Sequence, residues 1–262
     1  MKVRFVIPIR HPDGVADRAK QLAELRQTLA SIAAQSSTEW TATIVVNPAQ
    51  VLPEIPERTR VRHVDLPPNT ALAAARDREE LMTALQLDKG QRVAAGLDDV
   101  EADDLVMVVD DDDLIHRDLV AFVASKPRCG WVIGKGYWWR SGSRVLERTE
   151  RFNDRCGTSL LVPPHYYGHF AGGVSESDAI RELASHKRIF DRLPKQAPAW
   201  RPVPFPAGIY RLQGRGTSRL QIAASAVGAP VPRPPGLRTR LAALRRLRLM
   251  TRAVRRDFFG AA

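Results

Sequence analysis

Leu105-Val106-Met107-Val108-Val109 runs straight into Asp110-Asp111-Asp112-Asp113, and this junction decides the reading of the chain. Five apolar residues rich in Val read as a buried strand. Four consecutive carboxylates at its C-terminal end repel one another at neutral pH. The placement makes sense where a divalent cation sits, because hard cations such as Mg²⁺ and Mn²⁺ take oxygen ligands, commonly one or two carboxylates plus substrate phosphates. The plainer alternative is a solvated acidic turn before the next helix, since Asp favours helix starts.

Outward from that junction the chain alternates. Residues 3–9 read as a strand and His11–Gly14 as a turn. Residues 15–34 read as a helix with Leu22, Leu25, Leu29 and Ile32 on one face, and Trp40–Val46 as a second strand stopped by Asn47-Pro48. Residues 51–60 are a connector. Val61–Leu66 is a short strand, and 71–99 is one or two helices with a break at Lys89-Gly90. A helix follows from about His116 to Ser125. This pattern predicts an α/β fold, a mostly parallel sheet with helices on both faces. Ligands in such sheets sit beyond the carboxyl ends of the strands, so Pro8–Arg10, Asn47, Asp65 and Asp110–Asp113 should converge on one crevice.

After residue 126 the strands are short and clustered: 130–134, the aromatic Gly136-Tyr137-Trp138-Trp139, and 158–162. They predict mixed or antiparallel additions at a sheet edge. Residues 176–192 read as helix, and 194–208 carry five Pro as an irregular, surface or site-lining segment.

The stretch Lys89–Leu119, KGQRVAAGLDDVEADDLVMVVDDDDLIHRDL, resembles the middle of the nucleotide-sugar-binding half of GT-A glycosyltransferases, particularly family 2. A Gly-containing helix there precedes an apolar strand and an Asp-x-Asp-Asp motif. Val3–Arg10, VRFVIPIR, resembles the first strand of that fold, which ends in Ile-Pro. The likeness covers roughly residues 1–165. The family's Asp-Asp-Gly-Ser after the second strand is missing; Val45-Val46-Asn47-Pro48 stands there.

The resemblance implies an inverting, Mn²⁺- or Mg²⁺-dependent transferase that moves a sugar from a nucleoside diphosphate sugar, most commonly a UDP-sugar, to a glycan or lipid-linked acceptor hydroxyl. It implies Asp112 as the direct metal ligand and Asp110 as a ribose or water-mediated contact. His186 is an added ligand, Asp113 orients donor sugar or acceptor, and Asp111 is a bystander on the other face. Lys89 and Arg92 reach donor phosphates, with Gly90 allowing close approach; each is equally a solvated helix start. Pro8, Arg10 and Asn47 line the nucleotide site, Asn47 by reading a base edge or simply by making a turn. The base that takes the acceptor's proton is Asp178 or Glu176, after Gly172-Gly173; Ser175 with Asp178 is equally a capping box. His165 and His169 flank Tyr166-Tyr167-Gly168 near the acceptor. Of Trp138 and Trp139, alternation lets only one face the crevice.

Residues 1–227 read as the catalytic domain, with 1–125 binding the donor and 126–227 the acceptor, and 228–262 as a tail. Between Arg233 and Ala262 nine Arg face one acid, so that segment carries +8 of the net +11. The body is therefore only mildly basic, which excludes a uniformly basic nucleic-acid surface. Leu237, Leu241, Leu244, Leu247, Leu249, Val254, Phe258 and Phe259 amid Arg read as a basic amphipathic helix. Such a helix lies on anionic lipid or packs on the body. MKVRFVIPIR is too short and charged for a signal peptide, and no apolar run reaches ~18 residues. With two Cys expected reduced, the chain reads as cytoplasmic, peripheral at the inner membrane face. Rival readings are a nucleotidyltransferase on a related sheet, and a non-catalytic binding module on a degenerate transferase fold.

Overall fold

Apolar runs with sharp polar stops become the central strands. The structure, a computed structural model, describes residues 1–168, 175–194, 200–212 and 244–260. β1 (Val3–Pro8) leads through a 3-10 turn at Pro12–Gly14 into α1 (Arg18–Ala33). The Asp17 carboxylate caps α1 by accepting from the Lys20 amide. β2 (Trp40–Val46), β3 (Thr59–His63), α2 (Ala71–Ala74), α3 (Arg78–Gly96) and β4 (Leu105–Val108) follow. These four strands form one sheet in the order β3-β2-β1-β4, with every neighbouring pair parallel. Phe5, Ile7, Ile44, Leu105 and Met107 pack from it against Leu25, Leu29 and Ile32 of α1. Val6, Val45, Val106 and Val108 face Val93 of α3 on the other side. All four carboxyl ends therefore point one way, as the alternation of the sequence predicts.

The helix before β4 differs from its expected form. The break falls at Ala75–Asp77, and α3 runs on through Gly90. Gly90 serves the packing of helix on helix: a Cβ there would collide with the carbonyl oxygen of Ile180. Gly90→Ala tests this. Alanine is a better helix former than glycine by roughly 1 kcal/mol, and overpacking costs about 1–3 kcal/mol. The expected outcome in urea titration is a net loss of about 1–2 kcal/mol. A stabilised variant would show that the helices can part freely.

Beyond β4 come β5 (Leu114–Ile115), α4 (Leu119–Ala124), β6 (Gly130–Val132), β7 (Gly136–Trp139), β8 (Val145–Thr149), β9 (Leu160–Leu161) and α5 (His165–Gly168). Then follow α6 (Glu176–Leu183), α7 (His186–Arg192), β10 (Trp200–Pro202), β11 (Gly208–Arg211), β12 (Leu247–Leu249) and α8 (Arg252–Phe259). They build two mixed sheets, β10-β6-β9 and β12-β8-β7-β11-β5. A bridge between Val106 and Val162 joins β4 to the segment after β9.

The tail departs from the single amphipathic helix expected of it. Leu247–Leu249 is a strand, antiparallel to β8. The apolar side of α8 packs on protein: Phe258 is 3% exposed and lies edge-on to His116 and Tyr137, while Phe259 meets Trp139. The helix-on-lipid expectation is thus corrected for α8, because its aromatic pair is already inside. Residues 228–243, with Leu237 and Leu241, lie outside the described residues, as do Gly172-Gly173 and His169. Among the described residues no helix is long and apolar enough to cross a membrane, and Cys129 and Cys156 are free thiols.

Candidate functional site

The four aspartates after β4 do not stay side by side. The Asp113 amide bonds back to the Asp110 carbonyl, and this turn fans the side chains apart. Asp110 meets the Lys89 ammonium of α3 at 2.5 Å. Asp111 turns towards α1 and accepts from Gln21 Nε2 at 2.9 Å. Asp113 points inward, where the Thr158 hydroxyl and the Cys156 thiol donate to the same Oδ2 at 2.6 and 3.1 Å. Thr158 Oγ1 also accepts from the Asp110 amide at 2.9 Å, so one hydroxyl ties both ends of the turn. Asp112 is half-buried, and its carbonyl accepts from Arg211 Nε at 2.9 Å. The repulsion foreseen from the sequence is relieved by giving each carboxylate its own surroundings.

Burial opposes the charge on Asp110, but Lys89, His186 and Arg10 outweigh it and hold its pKa below the usual carboxylate range. Burial likewise opposes the Lys89 ammonium, and the charge and hydrogen bond of Asp110 outweigh it, so its pKa rises. Asp113 goes the other way. Burial, then the nearby Asp112 and Asp110 charges, push its pKa well up, against the bonds from Thr158 and Cys156. A buried acid of this kind keeps its proton. Its other oxygen, Oδ1, is buried without a hydrogen-bond partner among the described residues. Arg10, at the mouth of the site, is held charged first by Asp111 and further by Asp112 and Asp110.

His186 joins this group from the first turn of α7. It bonds to the Asn153 backbone, and burial followed by the Lys89 charge lowers its pKa. Its Nε2 is buried and has no hydrogen-bond partner among the described residues. With Lys89, Gly157 and Tyr167 it lines a recess; it also lines a neighbouring cavity of about 250 Å³ with Asn153, Asp154 and Phe190. A Cβ on Gly157 would stand 3.1 Å from Asp110 Oδ2 and 3.2 Å from Lys89 Nζ, so the lack of a side chain there leaves room beside the ion pair.

Asp110, Asp112, Asp113, Lys89, Arg10 and His186 therefore share one neighbourhood, and Pro8 ends β1 beside it. Two expected contacts are corrected. Arg92 is 1% exposed and donates to Asn47 Oδ1 at 2.8 Å, with Asp88 as its ion pair; Asn47 in turn donates to the Leu66 carbonyl. Their polar groups are spent on each other and on the chain, so they brace the α3–β2 junction instead of reading a nucleotide. The acid pair on α6 is placed at a helix start. Ser175 accepts from the Asp178 amide, donates to Asp178 Oδ2, and Arg181 reaches Asp178 Oδ1. The capping reading holds for Asp178, while Glu176 stands exposed in the same first turn. Asp65 is exposed, and His165 is exposed against Tyr166. Alternation places Trp139 in the core under Arg211, and Trp138 half-buried, stacked on Phe152.

Sequence reasoning missed Cys156, Thr158, Arg211, Gln21 and Tyr210. Arg211 is the most consequential. Nearly buried, it bonds to the Asp112 carbonyl, Ser141 and Gln27, each at 2.9 Å, and so pins the acidic turn to β7 and α1. The sequence pattern puts Thr158 and Ser159 at the start of a strand, 158–162, and assigns Cys156 no role; the strand itself is Leu160–Leu161.

Among the described residues no group of three or more His, Cys, Asp or Glu side chains closes into a metal cage. Asp110, Asp112 and His186 are the oxygen and nitrogen donors that could reach a hard cation in this neighbourhood. His186 has one ring nitrogen engaged by backbone and Nε2 unpartnered, the orientation a ligating imidazole needs. Compared with known proteins, the chain matches no protein-family model and no curated protein.

Proposed function

We propose that this protein is a glycosyltransferase of the GT-A type, moving a sugar from a nucleoside diphosphate sugar to an acceptor hydroxyl. The observation that carries the reading is the fanned acidic turn, with Lys89 on Asp110, at the carboxyl end of a parallel four-stranded sheet. The cations there are what an anionic diphosphate ester requires. Lys89 and Arg10 attract the phosphates, while half-buried Asp112 faces the same mouth. Asp110, Asp112 and His186 would hold Mn²⁺ or Mg²⁺ together with diphosphate oxygens, and the ion would neutralise charge on the departing diphosphate. Asp113 keeps its proton, fixes Thr158, and through it the Asp110 amide, so the turn is set before a donor arrives. Half-buried Tyr210, set edge-on to Trp138 across β7 and β11, offers an aromatic surface for a sugar ring.

Thermal-shift titration with UDP and UDP-sugars, with and without Mn²⁺, tests this. A ligand at a hundredfold its Kd stabilises by about 2.7 kcal/mol. The expected result is a cation-dependent shift that Asp112→Ala abolishes without unfolding the protein. A shift that survives chelator, or survives in that variant, refutes the cation-dependent mechanism; no shift with any nucleotide sugar refutes the transferase reading.

A further inference from the structure

Among the described residues β12 lies at the edge of the five-stranded sheet, and its leucines are exposed. Leu244, Leu247 and Leu249 are 61%, 42% and 69% exposed. Arg245, Arg246 and Arg248 stand between them, all exposed, and exposed Arg252, Arg255 and Arg256 follow on α8. With Asp257 as the single acid, residues 244–260 carry +5. The helix has spent its aromatic pair on the protein body; the leucines before it have not.

The register ties this edge to the acidic turn. Leu247 pairs with Glu147, Glu147 with Trp138, and Trp138 with Tyr210. Residues in register share a sheet face, so one face runs from the exposed leucines, past the Glu147 carboxylate, to Trp138 and Tyr210. Tyr210 lies in the field of Asp113, Asp112 and Asp110.

We propose that the β12 edge docks on an anionic bilayer, with Leu244, Leu247 and Leu249 entering the boundary between headgroups and acyl chains and the neighbouring arginines meeting lipid phosphates. Charge complementarity selects this occupant over a second copy of the chain: two edges of +5 repel, and a three-residue strand offers few ladder bonds to offset that. Docking turns the Trp138–Tyr210 face towards the headgroups. A lipid-linked acceptor is the substrate class this orientation serves; that step rests on the transferase reading, whereas docking does not.

The test is co-sedimentation of the full chain with phosphatidylcholine vesicles, alone or with about 30% phosphatidylglycerol. Binding is expected to the anionic vesicles only, and to fade as the Debye length falls from about 10 Å at 0.1 M salt to about 3 Å at 1 M. Leu247→Asp/Leu249→Asp is expected to weaken it at least tenfold with the chain still folded by circular dichroism, since both side chains are exposed and the carboxylate placed opposite Glu147 costs only a small part of the stability. Arg245→Glu/Arg246→Glu/Arg248→Glu should do the same. Absent binding, equal binding to neutral vesicles, or undiminished binding by the Asp variant overturns the proposal. So does a solution dimer that the Asp variant dissociates while no vesicle binding is seen. UDP-sugar binding is read in parallel, so its absence counts against the transferase reading alone.

Discussion

Lys89→Met is expected to destabilise the protein by about 2–3 kcal/mol and to abolish donor binding. Removing one partner of a fully buried ion pair costs about 3–5 kcal/mol, because the other charge is left uncompensated. Here the Lys89 and Asp110 side chains keep 26% and 29% of their exposure, so solvent screens part of that loss and the lower figure applies. The bereft Asp110 also feels the Asp112 charge, with Arg10 left as its counter-charge. Asp110→Asn in the same background should return part of the stability and none of the donor binding. Urea titration of the two single variants and the double one gives the coupling directly. Strictly additive losses would mean that the 2.5 Å contact carries no energy of its own.

Asp113→Asn is expected to flatten the dependence of stability on pH. The folded-state pKa of Asp113 is raised, chiefly by burial. Between the ordinary carboxylate pKa and that raised value, the folded protein holds a proton the unfolded chain has released. Stability therefore falls as pH climbs through this window, with a slope approaching about 1.4 kcal/mol per pH unit for one proton. Asparagine cannot release a proton, and its carbonyl can still accept from Thr158. Relative to the parent, the variant should gain stability as pH rises above the ordinary carboxylate pKa of about 4. Asp110, with its lowered pKa, acts in the opposite sense: its stabilisation is present above the ordinary carboxylate pKa and is lost as pH falls through the folded value. Parallel profiles for parent and Asp113→Asn would show that Asp113 ionises as freely in the folded state as in the unfolded one.

What the chain reveals as bare sequence follows from where its information is local. β1, β2 and β4 are apolar runs closed by Pro, Asn or Asp, and their pairing follows from the helices between them. β8 and β12 are illegible for the opposite reason. Val145–Thr149 is short and half charged, and Leu247–Leu249 sits in a Leu/Arg spacing that fits a helix. Antiparallel pairing between the two overrides that spacing. The site divides the same way. Asp110 follows the end of β4 and His186 opens α7, while Lys89 lies inside α3, and the fold brings the three together. Asn47 and Arg92 carry equally suggestive chemistry, yet they satisfy each other across a junction that no spacing rule exposes. Thr158 and Cys156 matter only because β9 runs beside β4, a contact fixed in three dimensions.

The clasp on the segment after the acidic turn has a consequence for synthesis. β5 pairs with β11, and the Arg117 amide bonds to the Asp257 carbonyl while His116 packs on Phe258. The four strands of the parallel sheet are all synthesised once Val108 is added. At roughly 5–20 residues per second, the ribosome takes on the order of 8–30 s to travel from that strand to α8. During that interval a nascent chain carries all four strands of the sheet while the clasp on residues 114–117 is still missing. Closure behind the acidic turn is thus timed by translation: the strands are ready early, and the clasp waits for Phe258.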